Sequence, residues 1–63
     1  MTTNKDAIAR VYTLEKKGRE LKEKGLGESQ VRKQLDIYHN IWYVVSYTTK
    51  NDDLNKVMTR LFN

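Results

Sequence analysis

The 63-residue chain has no cysteine, no proline and only three glycines. Without cysteine there is no disulfide staple, no thiolate metal site and no thiol nucleophile. Without proline nothing forces a kink, so Gly18, Gly25 and Gly27 are the main backbone punctuation. No apolar run approaches the ~20 residues of a membrane span, and MTTNKDAIAR lacks the apolar stretch of a secretory leader. The expectation is a cytoplasmic chain with no membrane contact. His39 is the single histidine, with no second histidine or cysteine to complete a metal site. No glycine-rich phosphate loop or catalytic triad pattern is present either, so the chain reads as a non-enzyme without a cofactor.

What is present is charge and a modest apolar fraction, 32% and 38% of the residues. That composition supports one small domain spanning 1–63, with a core that self-association would enlarge, so a homodimer is one expectation. Twelve Lys+Arg against eight Asp+Glu give a net charge of +4, which leans towards a polyanionic partner. The excess is uneven. Residues 1–27 hold seven basic and four acidic side chains, a net of +3; residues 28–50 hold three and two, a net of +1; the remainder is neutral.

The apolar spacing predicts helices. Ala7, Val11, Leu14, Gly18, Leu21 and Gly25 fall at intervals of 4, 3, 4, 3 and 4, the seam of an amphipathic helix over about 4–24. Thr3 is a suitable N-cap with Asp6 three residues on, and Glu15/Arg19 and Glu20/Lys24 are i,i+4 pairs. Gly18 inside this helix implies close approach of another backbone, and Gly25-Leu26-Gly27 provides a left-handed stop. Val31, Leu35, Tyr38, Trp42 and Val45 continue the same spacing across 28–48, widened by Ile37, Ile41 and Val44. The stretch IWYVVSYTT is rich in strand-forming residues, but a lone strand has no partner unless the chain dimerises through it, so helix is the better reading. Trp42 reads as the core anchor. Asp52 and Asp53 read as first-turn acids of a last helix, 52–62, buried through Leu54, Val57, Met58, Leu61 and Phe62. The expected fold is an all-α bundle of three to four helices.

The string GLGESQVRKQLDIYHNIWYVVSY, Gly25 to Tyr47, resembles the helix-turn-helix of small repressors, resolvases and homeodomain-like regulators. Val31 and Leu35 match the core of the first motif helix, Ile37 the apolar residue after the turn, and Trp42 and Val45 the inward positions of the second helix. Arg32 stands where that motif usually has a small residue, and Asp36 where it usually has glycine. The resemblance implies a break near 36–38 and a recognition helix from Tyr38 or His39. It also implies double-stranded DNA as partner and transcription regulation as the role. Tyr38, His39, Asn40, Tyr43, Val44 and Tyr47 would then face the major groove, with Lys22, Lys24, Arg32 and Lys33 neutralising phosphates. The other reading is a small helical protein-binding module, an inhibitor or adaptor of phage or plasmid type. Residues 28–49 would then form one unbroken helix, and Tyr43 and Tyr47 would dock the partner. A bend at 36–38 separates the two.

Overall fold

The computed structural model describes residues 4–63, and three α-helices make up most of these described residues. The first, α1 (Asn4–Glu23), turns Arg10, Val11, Leu14, Gly18 and Leu21 inward, the face its spacing implies. Its expected cap, Thr3, lies outside the described residues. Glu15 and Arg19 pair at 3.0 Å, whereas Glu20 takes Lys17 at 3.9 Å instead of Lys24.

The helix ends in a Schellman motif. Leu26 N–H donates to Leu21 C=O (3.3 Å) and Gly25 N–H to Lys22 C=O (3.0 Å), with Gly25 at φ +91°. A side chain at that φ would be strained, so glycine stands there, and Leu26 folds back onto the core that holds Leu21.

The second helix, α2 (Glu28–Trp42), departs from the expectation twice. It runs unbroken through Asp36, Ile37 and Tyr38, and no non-glycine residue among those described has positive φ. The row Val31–Leu35–His39 explains this: all three are buried, and a turn at 36–38 would throw His39 off that row. Asp36 spends its carboxylate on Lys50 (3.0 Å) rather than on a turn. The helix also stops at Trp42, short of 48. Tyr43 N–H makes the last helical bond, to His39 C=O (2.9 Å), and Tyr43 is extended at φ −133°, ψ 138°. Here the strand preference of Tyr43-Val44-Val45 prevails over the helical spacing.

The third helix, α3 (Tyr47–Phe62), begins at Tyr47 rather than at 52 because Ser46 is its cap. The Ser46 hydroxyl oxygen accepts from Thr49 N–H at 3.1 Å and its O–H donates to Thr49 Oγ1 at 2.9 Å. Asp52 and Asp53 therefore lie in the helix interior and are not first-turn acids. Asp52 pairs with Lys56 (3.2 Å), and Asp53 is buried.

Contacts between the helices make an up–down–up bundle, with Arg10 beside Asp53, Lys22 beside Leu61, and Arg32 beside Asn55. Val11, Leu14, Leu21, Val31, Leu35, Leu54, Val57, Met58 and Leu61 form the core. The close approach expected at Gly18 is present: a Cβ there would collide with the Leu61 side chain and sit 3.3 Å from Leu35 Cδ1. Trp42 is not the core anchor. It is 66% exposed, and Ile37, Ile41 and Val44 are exposed with it. The buried row of α2 is the 31–35–39 row, so residues 37, 41 and 42 fall outside the contact with α1 and α3.

Candidate functional site

Each helix carries one apolar row at i,i+4 spacing, and each row ends in a polar residue at the same end of the bundle. Arg10 precedes Leu14 and Gly18; His39 follows Val31 and Leu35; Asp53 precedes Val57 and Leu61. These three polar residues are buried together. Arg10 Nε–H donates to Asp53 Oδ2 at 2.9 Å, and His39 Nε2–H donates to the same oxygen at 3.0 Å. His39 has no exposed surface, and its Nδ1 is buried without a partner. An oriented His–Asp pair is half of an acid–base dyad. Here, however, the remaining nitrogen reaches no surface at which a substrate could meet it. The adjoining depression, about 400 Å³, is lined by Arg10, Trp42, Tyr43 and Val44 and not by His39. What the cluster does is tie α1, α2 and α3 together with one carboxylate.

The outside of the same end is apolar. Ile41 (70% exposed), Trp42 and Val44 (fully exposed) lie close together in the chain, with Ile37 one turn before Ile41 and Tyr47 at the first position of α3. Tyr38, half-buried against the core, holds its ring 6.1 Å from that of Trp42. Tyr43 is half-buried with its ring 5.1 Å from His39, so the buried cluster supports the connection from beneath. The four-residue link from Tyr43 to Ser46 thus carries Val44 outward and Tyr43 inward.

The residues expected to read or grip DNA separate into two groups. Tyr38, Asn40, Tyr43, Val44 and Tyr47 gather at this end; Asn40 Oδ1 accepts from Lys50 Nζ at 3.4 Å, and that lysine also covers the Tyr47 ring at 5.3 Å. His39 belongs to the same stretch but faces the core instead of outward, because it completes the Val31–Leu35 row. Lys22, Lys24 and Arg32 lie at the other end. Lys22 Nζ–H donates to Leu61 C=O (2.6 Å) and lies over Phe62 (5.0 Å), Lys24 is in the turn after α1, and Arg32 donates to Asn55 (3.0 Å). Along α3, Leu61 is about 21 Å and Asn55 about 12 Å from Tyr47, which sets the scale of that separation. Lys33 is exposed between the two groups, on the outer face of α2.

Spacing alone does not mark Arg10 and Asp53 as site residues, and it places Ile37, Ile41 and Trp42 inside, where the structure exposes them. The signal was present in the rows themselves. Extending each i,i+4 row by one turn meets Arg, His and Asp, a set whose charges answer one another. Among the described residues no group of acidic, histidine or cysteine side chains could hold a metal ion, and no helix is long and apolar enough to cross a membrane. Compared with known proteins, the chain matches no family model, no curated protein and no solved structure.

Proposed function

We propose that the chain is a protein-binding module that docks its partner on the apolar end of the bundle, through Ile37, Ile41, Trp42, Val44 and Tyr47. The observation that carries this reading is Trp42. It is two-thirds exposed in ring contact with Tyr38, while Arg10, His39 and Asp53 occupy the interior beneath. A core of nine apolar residues is small, and a fold of this size gains from burying its one tryptophan. Leaving it outside beside two isoleucines and a valine is the pattern of an interface rather than of scattered surface residues. Aliphatic side chains also suit a protein surface better than phosphates or base edges.

Regulation through double-stranded DNA has less support from the same residues. Of its expected phosphate contacts, Lys22 stands beside Leu61, about 21 Å along α3 from Tyr47, and Arg32 stands beside Asn55, about 12 Å along it; both already hold hydrogen bonds within the fold. A photoreactive residue placed at Ile41, with Glu23 as control position, tests the choice in the cells that make the protein. The expected outcome is one protein adduct from position 41 and none from 23, reproduced by the two purified proteins and lost in Trp42→Ser. Absence of an adduct, together with salt-dependent binding of duplex DNA by the purified chain, overturns the reading.

A further inference from the structure

The charges that border the apolar strip indicate what covers it. On α2, Ile37 and Ile41 stand one turn apart on the face turned away from the other helices, and Tyr38 and Trp42 stand one turn apart beside them. Lys33 precedes Ile37 by one turn on the same row, exposed and without an ion pair among the described residues. Along the α1 side of the strip a groove of about 410 Å³ runs between α1 and α2, bordered by Tyr12, Lys16, Lys17, Glu20 and Tyr38. Lys17 lies 5.9 Å above the Tyr38 ring and reaches Glu20 at only 3.9 Å, and Lys16 makes no ion pair among the described residues. Towards α3, Lys50 is neutralised by Asp36. Asp6 stands at the far edge, in the depression beside Trp42 and Val44. The strip is therefore bordered by Lys33 at the end of its Ile37–Ile41 row and by Lys16 and Lys17 along the α1 side, where Glu20 is the neighbouring carboxylate; Asp36, held by Lys50, and Asp6 lie at the other edges.

We infer that this strip receives an acidic amphipathic helix of a partner protein, its apolar row on Ile37, Ile41, Tyr38 and Trp42 and its carboxylates towards Lys16, Lys17 and Lys33. The inference rests on the protein-binding reading above and adds the partner's chemistry to it. A helix laid along the strip matches its geometry, because two i,i+4 pairs side by side form a shallow row into which the ridge of another helix packs. The bordering lysines then act at the rim, where charge sets encounter rate, salt dependence and choice of partner more than total affinity. A second copy of the chain is the poorer occupant. Two-fold pairing through this face sets the same lysine-bordered strip against itself and juxtaposes like charges.

An NMR titration of the full ¹⁵N-labelled chain tests it with two synthetic helical peptides. One carries a Leu/Phe row with Glu at the remaining positions; its twin has Lys in place of Glu. The acidic peptide is expected to move the Ile37 and Ile41 amides and the Trp42 indole signal. Its affinity should fall about tenfold as salt screens the rim. Lys16→Glu/Lys17→Glu/Lys33→Glu should weaken it at least as much, and Ile41→Ser/Trp42→Ser should abolish it, both variants keeping a dispersed spectrum. Equal binding of the basic twin overturns the acidic partner while leaving the docking face standing. Trp42 shifts on concentrating the chain alone, with neither peptide bound, identify a second copy as the occupant and also overturn it. No response at this face to either peptide or to concentration defeats both the inference and the reading it rests on.

Discussion

The two ends of this bundle are built on opposite plans. At the end where α1 stops, the interior is hydrocarbon. Gly18 lets Leu61 and Leu35 close in, Leu21 and Leu26 seal the Schellman turn, and Lys22 bridges to the last turn of α3 from outside. At the end where α2 stops, the charged groups Arg10 and Asp53 and the polar His39 are inside, and Ile41, Trp42 and Val44 are outside. Moving those apolar side chains inward would have given a larger core. The inversion instead trades core for a surface held in one geometry by a buried hydrogen-bonded cluster, which is how a small fold presents a rigid apolar patch.

Breaking each plan in turn should give effects in a definite order. Asp53→Ala is expected to do most damage, because it leaves Arg10 and His39 buried without their shared acceptor. Removing one partner of a buried pair costs about 3–5 kcal/mol, comparable with what a domain this size holds altogether. Circular dichroism at 25 °C should show a largely unfolded chain. The triple replacement Arg10→Met/His39→Leu/Asp53→Leu should recover a cooperative melt, since an apolar fill of similar volume tolerates burial without a charge partner. If the triple variant also fails to melt cooperatively, the cluster specifies the fold and is not replaceable.

At the hydrocarbon end Leu35→Ala is expected to cost about 2–5 kcal/mol, read as a lower urea midpoint, because Leu35 is fully buried between α1 and α3. Gly18→Ala should cost less, about 1 kcal/mol. The new methyl displaces Leu61, an overpacking strain of about 1–3 kcal/mol, and alanine's better helix propensity returns about 1. An unchanged or raised midpoint would show that Leu61 yields freely and that the approach there is loose. Ser46→Ala removes the cap that starts α3 at Tyr47 and should cost about 1 kcal/mol or somewhat less, with fraying at Tyr47–Lys50 in amide exchange.

Much of this architecture is legible in the sequence, and the parts that are not have identifiable causes. The 4–3 spacing of Ala7 to Gly25 reads directly as α1, and Gly25 reads as its stop because only a left-handed residue closes that turn. The seam of α2 is harder, because Val31 and Leu35 belong equally to two continuations. One passes through Tyr38 and Trp42; the other passes through His39. Hydrophobicity favours the first and the fold takes the second, since His39 has an acceptor waiting in Asp53, a residue of another helix. Likewise, Asp52-Asp53 before an apolar run looks like a helix start until Ser46 is recognised as the cap. A contact across helices decides the first case, legible only when the i,i+4 rows of all three helices are extended and set side by side; a local cap, Ser46 on Thr49, decides the second. The apolar end shares the difficulty: IWYVVSY looks like core because nothing local marks a hydrophobic run as exposed.

The smallest expected effect tests the central claim most directly. If the outer apolar residues at the α2 end serve a partner and not the fold, Ile41→Ser/Trp42→Ser should unfold in urea within about 0.5 kcal/mol of the parent chain, as exposed substitutions do. A loss of about 2 kcal/mol or more, the scale of emptying a core position, would contradict the account, because it would mean that these side chains are holding the bundle together.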